Sequence, residues 1–211
     1  MELKGKIINF LGDSITEGCG TTGVDKRFTN IIETNYGLCK ANNYGIGGTR
    51  FAKQRTPSAD PQWDEDFCSR ADAMDDKADI IVVFGGSNDY GHGDAPIGAF
   101  TDRTSDTFYG ACHVLMDKLL NKYPGKPIVF LTPLHREDEE KPNGEQLVQY
   151  VDIIKEVARY YALPILDLYA ESGIQPRVPI IKEKFCPDGL HPNDEGHSLL
   201  ANKIAKYLIN M

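Results

Sequence analysis

The chain has 211 residues, 41% hydrophobic and 26% charged, the composition of an ordinary globular protein long enough to bury one core as a single domain over residues 1–211. Its formal net charge of −8 argues against nucleic acid or an anionic membrane as main partner, because both need a basic face, and leaves a neutral or cationic substrate as the better match. No apolar run approaches the roughly 20 residues of a membrane span, and Met1 to Lys6 leads into a short apolar stretch without an export-signal pattern, so a cytoplasmic protein is expected.

In chain order, the first strand is predicted over Lys6 to Leu11, followed at once by Gly12-Asp13-Ser14-Ile15-Thr16-Glu17-Gly18. A small nucleophile thus stands at the carboxyl end of a buried strand, where open α/β sheets place their chemistry. A second strand, Lys40 to Gly45, runs into Asn43-Tyr44-Gly45-Ile46-Gly47-Gly48-Thr49. Arg50 to Asp66, with Pro57, Pro61 and Trp63, reads as a loop. The third strand, Ile80 to Phe84, ends in Gly85-Gly86-Ser87-Asn88-Asp89.

A helix is predicted from Ser105 to Tyr123, its inward stripe Phe108, Ala111, Cys112, Leu115, Leu119 and Tyr123 recurring with helical period before Pro124-Gly125 stops it. The strand Ile128 to Leu131 precedes a second loop, Leu134 to Gly144, whose run Glu137 to Glu140 reads as solvated surface. A helix over Glu145 to Ala162 turns Leu147, Val151, Ile154, Ala158 and Tyr161 inward and cannot continue through Pro164. A strand Ile165 to Leu168, then Asp188-Gly189-Leu190-His191-Pro192-Asn193, and a last helix Asp194 to Ile209 complete the pattern. Strands alternating with helices predict an α/β protein, a three-layer α/β/α sandwich around a five-stranded parallel sheet. Both loops follow strand ends, which places them over one mouth.

A serine hydroxyl attacks only if a base takes its proton. His191 is the candidate base, since Asp188 lies three residues earlier in one tight turn and can hold imidazole Nδ1, freeing Nε2 for Ser14. The bland alternatives are that Ser14 is a helix cap, Asp188-Gly189 a plain turn and His191 a surface residue. The glycine turn ending at Gly48 brings backbone N–H groups close to a ligand, and Asn88 offers a side-chain amide; the alternatives are an unusual turn and an Asx cap. A dinucleotide fingerprint fails because position 50 is Arg50 rather than a third glycine. The other histidines, His92, His113, His135 and His197, have no metal-ligand spacing, and five cysteines without a Cys-x-x-Cys pair, Cys19, Cys39, Cys68, Cys112 and Cys186, read as reduced core thiols.

Together the four blocks around Ser14, Gly48, Asn88 and Asp188 to His191 resemble those of the SGNH (GDSL) hydrolases. The resemblance implies a flavodoxin-like α/β/α fold without metal or organic cofactor. It makes Ser14 the nucleophile, the N–H groups of Ser14 and Gly48 with the Asn88 amide the oxyanion hole, and Asp188 and His191 the rest of the triad. It differs from the α/β-hydrolase elbow Gly-x-Ser-x-Gly, since the fifth position here is Thr16. The expected reaction is hydrolysis of an O-acyl ester through an acyl-enzyme. The polar and aromatic loop residues Trp63, Tyr90, His92, Arg50 and Arg136, with no apolar stretch to line an acyl tunnel, suggest an acetyl group on a carbohydrate or similar small alcohol as the substrate.

Asp13, Arg50, Tyr90 and Arg136 are the candidate substrate contacts, although either arginine serves equally well as a surface ion-pair partner. Lipid acyl hydrolase, thioesterase and acyltransferase readings use the same triad; a non-catalytic carbohydrate-binding module would not. Acyl length, the alcohol half and oligomeric state are left open.

Overall fold

In the computed structural model, which describes residues 1–211, the chain forms β1 (Ile7–Gly12), α1 (Ser14–Glu17), α2 (Phe28–Tyr36), β2 (Lys40–Gly45), α3 (Phe67–Arg70), β3 (Ile80–Phe84) and α4 (Ser87–His92). It continues through α5 (Phe108–Lys122), β4 (Ile128–Leu131), α6 (Leu147–Tyr160), β5 (Ile165–Leu166), α7 (Leu168–Glu171), α8 (Pro179–Phe185) and α9 (Asp194–Asn210). All five strands pair in parallel in the order β2-β1-β3-β4-β5. The strand order therefore reverses beside β1, and the crevice at the carboxyl ends of β1 and β3 is the natural seat of a site.

Period-two alternation divides the sheet between two cores. Ile81 and Val83 join Phe51, Phe108, Leu115 and Ile154 on one face, under α3, α5 and α6. Ile80, Val82 and Phe84 join Phe28, Ile32, Leu200 and Ile204 on the other, under α2 and α9. The predicted stripe of α5 is wholly buried, as are Leu147, Val151, Ile154 and Ala158 of α6 and Leu200, Ala201, Ile204 and Leu208 of α9, while Tyr161 is only half-buried.

Several boundaries differ from the sequence reading for local reasons. Helix α5 starts at Phe108, not Ser105, because the Thr107 side chain caps the Gly110 N–H. Helix α6 starts at Leu147 because Gln146 and Gln149 form a reciprocal capping box ahead of it. Strand β5 stops at Leu166, two residues early, since Asp167 turns to cap α7 and accepts from Ala170 N. The cysteines are all free thiols, but only Cys68, Cys112 and Cys186 are core residues; Cys19 is half-buried and Cys39 exposed. The acidic run is also more than solvated surface. Glu139 is 7% exposed and accepts from His135 Nδ1, the Arg136 N–H and the Tyr169 hydroxyl, while Glu137 pairs with Lys182.

Candidate active site

Ser14 opens the four-residue helix α1 at the end of β1, with Asp13 as its N-cap accepting from Ile15 N at 3.0 Å. The Ser14 hydroxyl donates to His191 Nε2 at 3.0 Å, and His191 Nδ1 donates to Asp188 Oδ2 at 2.7 Å. Both bonds are satisfied together by the tautomer protonated at Nδ1, which leaves Nε2 as an acceptor for the serine proton. The other Asp188 oxygen accepts from the N–H groups of His191 and Leu190 at 2.7 and 2.8 Å. Partial burial works against the Asp188 charge, but these three bonds outweigh it and hold the carboxyl below the ordinary carboxylate range.

The turn carrying His191 is held from two sides. Thr22, after α1, donates through its N–H and hydroxyl to Asp194 at 2.8 and 2.6 Å, and Gly20 packs so tightly under Pro192 that a Cβ there would lie 2.4 Å from its carbonyl oxygen. From the opposite side, the Glu137 N–H donates to Gly189 O at 2.8 Å. The two sequence loops thus bracket the site: residues 134–140 brace the Asp188–His191 turn, while Trp63 of the 50–66 loop lies over Gly48.

Gly48 has φ +76°, and a Cβ on it would stand 2.2 Å from the Trp63 ring, so both conformation and space call for glycine. The turn closes on α1, since Gly47 N donates to Glu17 at 2.7 Å and a Cβ on Gly47 would lie 3.7 Å from that of Ser14. Asn88 donates one amide hydrogen to Thr49 O at 3.0 Å, leaving the other uncommitted next to Gly48. The N–H groups of Ser14 and Gly48 make no hydrogen bond within the chain. Ser14, Gly48, Asn88, Asp188 and His191 are thereby brought together at the strand crossover point. No group of three His, Cys, Asp or Glu side chains is placed to hold a metal.

Residues 10–199 match the model of the GDSL-like Lipase/Acylhydrolase family. The chain belongs to that family. It is 31% identical over 205 residues to GDSL lipase Rv0518 of Mycobacterium tuberculosis, covering 95% of this chain and 80% of that protein. Among solved structures it resembles a Lactobacillus plantarum protein, 29% identical with TM-score 0.85 over 98% of both chains. The lipase/acylhydrolase of Enterococcus faecalis, at 21% identity and TM-score 0.68 over 96% of this chain and 95% of its own, shares the fold. Family membership makes this protein an ester hydrolase.

Within this GDSL hydrolase the four candidate substrate contacts fare differently. Arg50 is 2% exposed and bonded to Ser58 Oγ, Trp63 O, Asp64 and His92 O; its guanidinium organises the 50–66 loop and is neither a surface partner nor free to reach Ser14's substrate. Tyr90 is 2% exposed, packed on Tyr150 beneath Arg136 and Lys141, so it too is a packing residue. Arg136 stays beside the site, donating to Ser87 O at 3.3 Å. Asp13 is buried under α1 as a cap; burial pushes its carboxyl up to about 6, against the pull of the Ile15 N–H, His191 and Arg70.

Two organising residues were not anticipated. Arg70 reaches from α3 to donate to Thr49 Oγ1 (2.8 Å), Gly12 O (2.9 Å) and Tyr44 O (2.7 Å), tying the ends of β1 and β2 to the Gly48 turn. Asp89 accepts from the N–H groups of Phe51 and Ala52 at 3.0 and 2.9 Å, so consecutive residues Asn88 and Asp89 clamp that turn from the other side. Burial raises Asp89 to about 7. The sequence signal for Asp89 was its place in the Asn88 block; for Arg70 there was none.

Proposed function

We propose that the protein is a serine esterase that hydrolyses short-chain O-acyl esters, acetyl groups on a carbohydrate or similar small alcohol, through an acyl-enzyme on Ser14. The observation that carries this reading is the unbroken chain Ser14 Oγ to His191 Nε2 to Asp188, at 3.0 and 2.7 Å. Ser14 Oγ attacks the ester carbonyl while Nε2 accepts its proton, and Asp188 stabilises the imidazolium that forms. The oxyanion falls to the N–H groups of Ser14 and Gly48 and the free hydrogen of the Asn88 amide, a set in which each donor is worth about 3 kcal/mol of barrier. Collapse expels the alcohol, which takes the proton from His191. Water then attacks the acyl-enzyme with the same imidazole as base, releasing the acid and restoring Ser14.

A short acyl group fits the polar and aromatic side chains around the site. The name of the mycobacterial relative, a GDSL lipase, favours a second reading in which the acyl chain is long. Initial rates on p-nitrophenyl acetate, butyrate and octanoate, with acetate release from acetylated xylose, decide between them. Ser14-dependent activity confined to acetyl esters supports the first reading, preference for octanoate supports the second, and turnover that survives Ser14→Ala overturns both.

A further inference from the structure

Beside the oxyanion turn, but outside the triad, lies a cavity of about 170 Å³ between the 50–66 loop and the end of α4. Its volume is that of about five or six waters, the size class of one sugar ring. Trp63 joins it to the catalytic centre, because the indole that covers Gly48 on one side lines the cavity on the other. His92, which ends the helix that carries Asn88, packs against Trp63 with ring centroids 5.0 Å apart.

The lining selects a ligand class. Arg50, Thr56, Ser58, His92 and Asp94 share the lining with Pro57, Ala59 and Trp63, a mixed wall that suits a ligand with polar and apolar faces better than a plain alkyl chain. An anion is disfavoured as well: Arg50 is already paired with Asp64 at 3.1 Å, and the Asp94 carboxylate stands at the same cavity, so no net positive charge faces it. What the cavity does present is a donor. The Arg50 Nε–H lacks a partner but is sealed beneath the lining, so the free donor at the cavity is on His92. His92 accepts from Arg50 Nη1 on Nδ1 at 3.3 Å, which puts the imidazole proton on Nε2, where it has no acceptor in the chain. An uncommitted donor beside an indole suits a neutral polyhydroxylated ring, whose oxygens accept and whose C–H groups pack on the aromatic ring.

We infer that the Trp63, His92 and Arg50 cavity is a saccharide subsite, holding the sugar of an acylated carbohydrate while its ester reaches Ser14. The inference deepens the esterase reading and rests on it for the reaction, but binding at the cavity is measured without turnover. Trp63 is the chain's one tryptophan, so its fluorescence reports on this cavity and the adjoining Gly48 turn, and the His92→Ala comparison assigns a response to the cavity.

The experiment titrates the Ser14→Ala protein with methyl β-xyloside, sodium butyrate and inorganic phosphate, following tryptophan emission. A saturable change with the xyloside, absent with butyrate and phosphate and weakened at least tenfold by His92→Ala in a protein of unchanged circular dichroism, is the expected result. In the active enzyme, His92→Ala then lowers kcat/KM on acetylated xylose at least tenfold more than on p-nitrophenyl acetate. No saturable xyloside response, an equal response to butyrate or phosphate, or xyloside binding indifferent to His92→Ala overturns the subsite. Ser14-dependent hydrolysis of p-nitrophenyl acetate without xyloside binding sinks the subsite alone; xyloside binding by a protein with no esterase activity sinks the esterase reading alone.

Discussion

The two halves of the proposed triad are held in contrasting ways. Ser14 is 9% exposed and set on the sheet itself, at the end of a central strand, under a buried cap and above the Arg70 guanidinium that binds three neighbouring segments. The Asp188 side chain is 54% exposed, and its turn is secured by a few polar contacts to Thr22 and Glu137. Ser14, the proposed nucleophile, is thus part of the fold's foundation, whereas Asp188 and His191 are docked onto it. Removing what holds Ser14 in place should damage stability and rate together; removing what holds Asp188 and His191 should damage rate with little change in stability.

The largest expected effect is on chemistry alone. Ser14→Ala and His191→Ala each reduce kcat by roughly a thousandfold or more, with melting temperature nearly unchanged, and Asp188→Ala costs less because the turn's backbone still orients the ring in part. Steady-state kinetics beside thermal melts check this, and an Asp188 loss equal to that of His191 makes the carboxylate indispensable. Next comes Arg70→Met, which strands three carbonyl and hydroxyl acceptors and removes the charge that offsets buried Asp13. A loss of about 2 to 3 kcal/mol of stability in denaturant melts, together with lower kcat, is expected; a drop in activity alone breaks the contrast between the two sides.

Acid and base should act on the two sides with opposite sign. His197, on α9 below His191, accepts from Phe28 N at 3.2 Å, and burial lowers its pKa from 6.5 to about 4. Below 6.5 the unfolded chain takes up a proton that the folded one refuses, so this stability is lost as pH falls through about 4. Asp13 is the reverse: raised from 3.8 to about 6, its contribution is full below 3.8 and lost as pH rises through 6. Each is worth at most about 3 kcal/mol. Hydrogen exchange, corrected for intrinsic rates, should show α9 loosening between pH 6.5 and 4 while α1 tightens. The smallest effect is expected from Thr22→Val, which removes the hydroxyl bond to Asp194 and leaves the backbone one: a decrease in kcat of no more than about tenfold, without a measurable shift in melting temperature.

How much of this was legible in the sequence follows from the range of each interaction. The β-rich runs and the stripe of α5 carry their periodicity locally, so sheet and layers could be read directly. So could the meeting of Ser14, Asp188 and His191, because each stands in a block whose spacing is itself chemical. Helix α1 has four residues, too few for a period, and α4 was hidden among glycines. Arg70 acts 56 residues from Ser14 on backbone carbonyls, which no side-chain pattern encodes. Arg50 and Tyr90 were assigned to the substrate because burial is a property of the folded loop rather than of residue type. Glu139 misled for the same reason, since its partner Tyr169 comes from beyond α6.

The hydrogen bond between Ser14 and His191 spans 177 positions of sequence. During synthesis the proposed nucleophile leaves the ribosome early and its proposed base near the end, so a partly made chain would carry the hydroxyl without its base. On the proposed mechanism activity requires this long-range pairing to be in place, which makes a simple chromogenic assay a sensor of completed folding.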